Sequence, residues 1–160
     1  MYHGKKLWNM LVGWLSAQTN RRYRLPTEAE WEFAARSGGK NQTWAGTSQE
    51  QELGDFAWSN ANSKGGSRPV GSKRSNDLGL HDMSGNVWEW MQDCWHDNYN
   101  GAPTDGSAWE EKDSNGCARR VIRGGCASTS ASFLRSTSRL WSNFDTRNYG
   151  IGFRLAQDIE

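Results

Sequence analysis

The residues of this chain best placed to do chemistry are one carboxylate among tryptophans, three cysteines and three histidines. Glu89 stands in Asn86-Val87-Trp88-Glu89-Trp90, where burying it is costly without partners. Asn86 and Glu89 lie three apart across a turn that contains Gly85. An amide oxygen, a carboxylate and the carbonyl of Val87 at such a turn are oxygen ligands of the sort Ca2+ takes, although calcium collects about 6–8 of them. The same carboxylate can instead accept bonds from backbone N–H groups or an arginine and hold the turn. Cys94, Cys117 and Cys126 have no zinc-like spacing, and His3, His81 and His96 do not accompany them in pairs. Cys94 and Cys117 flank the polar stretch from Asp97 to Asn115, so a disulfide there would close a loop of about twenty residues, worth roughly 3 kcal/mol. Two buried thiols in a reducing compartment are the alternative.

The elements that must position these groups are few. At 160 residues the chain is read as one domain over its whole length, 1–160. Its net charge is +1 and it shows no basic stripe, which makes nucleic acid a poor partner. Ten Trp and eighteen Gly predict a core of a few large rings held by turns. No apolar run is long enough for a membrane span, and no basic-then-apolar leader is present. The expected location is therefore cytoplasmic, virion-associated or exported by another route.

Leu7, Met10, Leu11, Trp14 and Leu15 repeat at helical spacing and predict a helix with one apolar stripe, ending near Thr19 to Arg21. Thr27 followed by Glu30 reads as a capping box, so a second helix starts at Thr27, buries Trp31, Ala34 and Ala35, and stops at Ser37-Gly38-Gly39. Beyond Lys40 no helical period is sustained. Val87 to Met91, Arg119 to Arg123 and Gly152 to Ala156 read as short strands separated by turn-rich loops.

Several of these segments occur together in one order: Arg24-Leu25-Pro26-Thr27-Glu28-Ala29-Glu30-Trp31-Glu32, Pro69-Val70-Gly71, Gly79-Leu80-His81-Asp82-Met83, Gly85-Asn86-Val87-Trp88-Glu89-Trp90, Arg123-Gly124-Gly125 and Gly152-Phe153-Arg154. From about Trp14 to Ala156 the chain resembles the formylglycine-generating-enzyme, or sulfatase-modifying-factor, family. The resemblance implies an α+β, C-type-lectin-like fold: two helices, small twisted antiparallel sheets and abundant structured loops. It also implies a structural Ca2+ at Asn86, Val87 and Glu89. The N-terminal part that full-length relatives carry is expected to be missing.

Family enzymes oxidise a substrate cysteine with a copper-binding cysteine pair just past Arg-Gly-Gly. Here Thr129 and Leu134 stand approximately at those positions. Neither can replace a thiolate as a ligand for Cu(I), so no copper is expected. Cys126-Ala127 replaces the usual Ser-Trp pair, and a neighbour must fill the lost ring's space or the loop is looser there.

From Gly124 to Ala156 the chain contains no Lys, Glu, Gln or Met and is rich in Ser, Thr, Asn, Arg and aromatic residues. Such a composition suits a recognition surface, with rigid rings for area and small polar groups for adaptable hydrogen bonds. It also resembles the variable region of diversity-generating-retroelement proteins. In those systems adenine mutation diversifies Asn codons, never to Lys, Glu, Gln, Met or Trp, which would make Trp141 a fixed position. Residues 124–156 are thus the candidate variable region. The candidate ligand contacts are Ser128, Ser130, Ser132, Phe133, Ser138, Leu140, Trp141, Asn143, Phe144, Asn148 and Tyr149, with Arg135, Arg139, Arg147 and Arg154 expected to fix the loops. The expected function is non-catalytic binding of a protein or cell-surface ligand. The alternatives are an oxidoreductase using Cys126, assisted by His81 or His96, and an accessory domain of a larger enzyme.

Overall fold

In the computed structural model of the chain, residues 4–111 and 117–158 are described, with side chains from Met10 onward. Residues 112–116 of the expected loop and the side chain of Leu7 lie outside the described residues, as does His3.

Helix α2 (Glu28–Ala35) begins as the capping-box spacing dictates. Thr27 Oγ1 accepts from Glu30 N at 3.1 Å, and Glu30 Oε2 accepts from Thr27 N at 2.9 Å. Glu30 also forms a fork with Arg24, both contacts at 2.7 Å, and this bonding holds its carboxyl below the ordinary carboxylate value. A carboxyl of this kind stabilises the fold above its unfolded-state value near pH 4.5 and loses that effect as the pH falls. The stability difference between wild type and Glu30→Gln should therefore be constant above about pH 4.5 and shrink below it. With 41% of the Glu30 side chain exposed, it should stay under ~1 kcal/mol, as read by urea titration across pH. The helix closes where Gly38 and Gly39, both at positive φ, return their N–H groups to Phe33 O.

Trp31 and Ala35 on the inner face of α2 pack with Met83, Met91, Val121 and Ala45. Helix α1 (Gly4–Thr19) forms at its expected place, but its apolar stripe is not covered by the described core: Met10 is 62% exposed and Trp14 60%. A 3-10 turn at Glu50–Glu52 and a single-turn helix α3 (Leu53–Phe56) add helix where none was expected, and a second 3-10 turn spans Ala131–Leu134. These turns are too short to carry a period. Leu53 and Leu134 pack with Trp44 and Ala57 in a second cluster.

Strand β1 (Tyr23–Arg24) pairs with β6 (Ala156–Gln157), tying the two ends of the fold. The main sheet has the order β4-β3-β2-β5, from β2 (Trp88–Cys94), β3 (Arg119–Arg123), β4 (Arg139–Asn143) and β5 (Ile151–Gly152). It is mixed rather than antiparallel throughout, because β5 runs parallel to β2. After β4 the chain crosses from one edge of the sheet to the other through residues 144–150, and such a crossover delivers a parallel strand. The expected last strand is split into β5 and β6, and Arg154 between them turns its side chain to Glu89. A disulfide joins Cys94 at the end of β2 to Cys117 before β3, with a Cα–Cα separation of 5.2 Å.

Side chains alternate across a sheet, and this sheet's two faces differ in kind. Glu89, Met91, Val121 and Arg123 face α2. Trp88, Trp90, Ile122 and Leu140 face the opposite way, where the crossover and neighbouring loops form walls rather than a layer of helix.

Candidate functional site

Glu89 is 5% exposed and its partners are protein groups. Trp31 Nε1 donates to Oε2 at 2.7 Å, while Arg154 forks across both oxygens at 2.6 and 2.7 Å. Burial works against the Arg154 charge, but the hydrogen bonds and field of Glu89 outweigh it, so its pKa lies above the ordinary arginine value. Asn86, at φ +64°, accepts Arg68 N on Oδ1 at 2.8 Å and Ala127 N on its carbonyl at 2.9 Å. The expected calcium set of Asn86, Val87 and Glu89 therefore does not fit the ion as arranged. The oxygens of Asn86 and Glu89 already face N–H donors, and on Glu89 one of those donors is the Arg154 guanidinium. No cluster of three His, Cys, Asp or Glu suited to a metal occurs among the described residues.

The turn instead stitches four segments together. Gly85 N donates to Gly124 O at 2.8 Å and Asn86 N to Trp58 O at 2.9 Å. A Cβ on Gly85 would stand 2.1 Å from Trp58 O, so this close approach requires glycine.

Arg123 serves the same purpose on β3. Fully buried, it pairs with Glu32 and donates to the carbonyls of Ser136, Thr137 and Ser138. Arg139 forks onto Glu28 at 2.9 and 2.8 Å. Thus guanidinium groups, rather than a regular layer, hold the chain entering β4.

On the opposite face lies a cleft of about 760 Å³. Trp88, Ile122, Leu140 and Ile151 form its floor, Cys126 to Thr129 one wall, and Asn148 to Gly150 of the crossover another. Gly65, Gly66 and Ser67 close it, and no charged side chain lines it among the described residues. Of the expected contacts, Ser128, Leu140, Trp141, Asn148 and Tyr149 meet here. Ser130, Ser132, Phe133 and Asn143 are exposed outside the cleft lining, while Ser138 and Phe144 are half-buried. Phe144 packs edge-on against Trp90, and Ser138 Oγ donates to Ser132 O at 2.7 Å, so both also support the loops.

The lining from Gly65 to Ser67 was not legible in sequence, where it reads only as a turn. Trp88 and Ile122 could have been found, since both fall on the non-core register of their strands.

Ala127 is 3% exposed, and both its backbone groups are engaged, its N–H by Asn86 O and its carbonyl by Ser63 Oγ at 2.6 Å. The loop is held by these bonds despite the missing ring. Thr129 Oγ1 caps this turn through Cys126 N and O, whereas Leu134 is buried in the second cluster. Cys126 is 7% exposed, with Sγ 3.2 Å from Ser128 Oγ in the cleft wall. Neither His81 nor His96 lines this cleft: His81 Nδ1 lies 2.7 Å from Lys73 O, and His96 stacks on Trp109 at 3.5 Å.

A second cavity of about 510 Å³ lies between α2 and the loop carrying Tyr99 and Trp109. Its acids are answered internally. Glu28 meets Arg139, and both oxygens of Asp93 accept backbone N–H groups, from Glu28 and Trp109. Burial still pushes the Asp93 carboxyl above its ordinary value.

An arginine-tied α+β scaffold with loops spread over one sheet face is the architecture of a known class of domains. The profile of the Sulfatase-modifying factor enzyme 1-like domain matches residues 9–159, and the chain belongs to that family. The formylglycine-generating enzyme of Streptomyces coelicolor is 34% identical over 175 residues, covering 93% of this chain and 52% of that protein. The serine/threonine-protein kinase Pkn1 of Chlamydia trachomatis serovar L2 is 40% identical over 141 residues, covering 86% of this chain and 21% of the kinase. Among solved structures, Treponema denticola variable protein 1 superposes with a TM-score of 0.74 at 39% identity, covering 84% of this chain and 47% of the other. PvdO from Pseudomonas aeruginosa gives 0.78 at 38%, covering 92% and 57%. The chain spans about half or less of the length of the relatives it matches at these two enzymes. No helix among the described residues is long and apolar enough to cross a membrane.

Proposed function

We propose that this chain is a non-catalytic ligand-binding protein, a variable protein of the retroelement type, that presents the cleft over its main sheet to a protein or cell-surface ligand. The observation that carries the reading is a division of labour within one segment. Between Cys126 and Tyr149 the residues that hold the backbone are buried or paired: Leu134 and Ser136 are 0% exposed, and Arg139 is tied to Glu28. Ser128, Leu140, Asn148 and Tyr149 are exposed beside Trp141, and Tyr149 is fully exposed. A fixed scaffold with exposed, exchangeable side chains is what loop-borne recognition needs. The likeness to Treponema denticola variable protein 1 supports it, as does the absence of sulfur at positions 129 and 134.

Sequencing the coding region in sibling isolates should show substitutions concentrated at the exposed positions from Ser128 to Tyr149, with Leu134, Ser136, Arg139 and Trp141 unchanged. Uniform drift along the gene would refute the reading.

A second reading is favoured by the Cys126 thiol in the cleft wall: an oxidoreductase like the formylglycine-generating relatives. Stoichiometric copper binding with turnover of a thiol peptide, both lost in Cys126→Ala, would establish it in place of the first.

A further inference from the structure

A third cavity, of about 270 Å³, opens on the side of the sheet away from the cleft. Its place follows from strand parity. Arg119, one of its walls, shares a side of β3 with Val121 and Arg123, which face α2. The chain leaving β2 supplies much of the rest, because Trp95, His96 and the turn from Asp97 to Asn100 follow directly on the bridged Cys94.

The apolar part of this lining is a set of flat rings. His96 and Trp109 stack at 3.5 Å with planes 5° apart, and the Arg139 guanidinium lies 4.5 Å over the ring of Trp95. Trp95 Nε1 donates to Asp97 Oδ1 at 2.8 Å, and Asn98 Oδ1 accepts Asn100 N at 2.9 Å. The ring and the turn are thus set before any ligand arrives, which lowers the ordering cost of binding.

The polar groups that these bonds leave over point to the occupant. Among the described residues, Asp97 Oδ2, the amide N–H groups of Asn98, both ends of the Asn100 amide and His96 Nε2 have no protein partner. Asp97, Asn98 and Asn100 are exposed and His96 is half-buried. The set mixes donors with acceptors, and neither sign of charge predominates: Asp97 is the one carboxylate of the lining, and the Arg119 guanidinium is already engaged over the ring of Trp141 at 5.1 Å. A pyranose ring matches this arrangement. Its C–H faces lie against aromatic rings, and its hydroxyls, each donor and acceptor at once, take neighbouring amide and carboxylate groups. Size agrees, since pockets for drug-sized molecules run from about 300 to 1,000 Å³ and this one falls just below that range.

We infer that this cavity binds a single neutral sugar residue, seated against the rings of Trp95 and Trp109 and hydrogen-bonded by Asp97, Asn98 and Asn100. It is a second site, separate from the cleft, and the failure of either reading leaves the other standing.

The test incubates the fluorescently labelled full chain with an array of immobilised neutral oligosaccharides and, in solution, with free methyl glycosides of the same sugars. At least one neutral sugar should be retained and should shift the indole N–H resonances of Trp95 and Trp109. Competition by the free methyl glycoside assigns the site to a free or terminal sugar, whereas retention without competition assigns it to a residue within a glycan chain. Asn100→Ala removes an exposed side chain with no partner in the fold, so its melting temperature should match wild type while affinity for the retained sugar falls about tenfold, the weight of one or two hydrogen bonds. His96→Phe keeps a ring on Trp109 and removes Nε2, and it reads the same loss if Asn100→Ala melts early. Tyr149→Ala, which alters the cleft on the other side of the sheet, should bind the sugar as wild type does. A loss under about threefold in the folded variant would overturn the inference, as would sugar binding that Tyr149→Ala abolishes. Retention of charged glycans alone, indole shifts with free amino acids in place of sugars, or no retention at all would overturn it too.

Discussion

Replacing Arg123 by Met should cost the fold about 3–5 kcal/mol, the range for removing one partner of a buried charged pair. The side chain is 0% exposed and lies over the ring of Trp31, 5.3 Å from its centroid. Its guanidinium meets Glu32 and three successive carbonyls, Ser136 to Ser138. Methionine matches the stem and none of the donors, so carbonyls stationed in the interior lose their partners. Glu28 retains Arg139, which confines the damage to the segment entering β4. Urea denaturation followed by tryptophan emission should show the loss as a lower midpoint, and the melting temperature should fall by roughly 10 °C for a chain of this size. Arg123→Lys should recover little, because one ammonium cannot span an acid and several carbonyls in a fixed fork. A loss under ~1 kcal/mol would mean that water reaches these carbonyls and that β4 is positioned by something else.

This arginine also shows where sequence reading succeeds and where it stops. Local devices were legible: the capping box at Thr27 and the stop at Gly38 and Gly39 depend on neighbours in the chain. The core positions of Trp31 and Ala35 followed from helical period. Partners across the chain were not legible. Glu89 meets Trp31 and Arg154, 58 and 65 residues away, and spacing around Glu89 offers the same oxygens to a cation or a guanidinium. Nor could spacing show that β5 would lie parallel to β2, since that follows from the route of residues 144–150 over the sheet. The exposed stripe of α1 is a third case: amphipathic period says which face wants cover, not whether the described core supplies it. The ligand contacts were half-legible for a related reason. Composition marked the segment, but the crossover selects Asn148 and Tyr149 for the cleft while Phe144 turns onto Trp90.

The Glu89 ambiguity can be settled energetically. Arg154→Met should cost about 3–5 kcal/mol, because it leaves a carboxylate that is 5% exposed with Trp31 as its remaining named donor. Arg154 also donates to His81 O at 3.0 Å, so the turn between β5 and β6 loses its tie to two segments at once. Glu89→Gln should be destabilising by itself, since it strands the guanidinium and places an amide N–H among donors. The double variant should be less damaging than the sum of the two, with an interaction energy of about 2 kcal/mol. Urea titrations of the four proteins measure it. A calcium-held turn would give the reverse pattern: stability would rise with added Ca2+ and fall with chelator, and Arg154→Met would cost little. The cleft makes the outcome functional as well as structural. Trp88 of the floor is the chain neighbour of Glu89, and Ile151 and Gly152 pair with Trp88 and Glu89 just before Arg154. Loosening the pair should therefore weaken ligand binding along with the fold, whereas Tyr149→Ala, at a fully exposed position, should weaken binding alone.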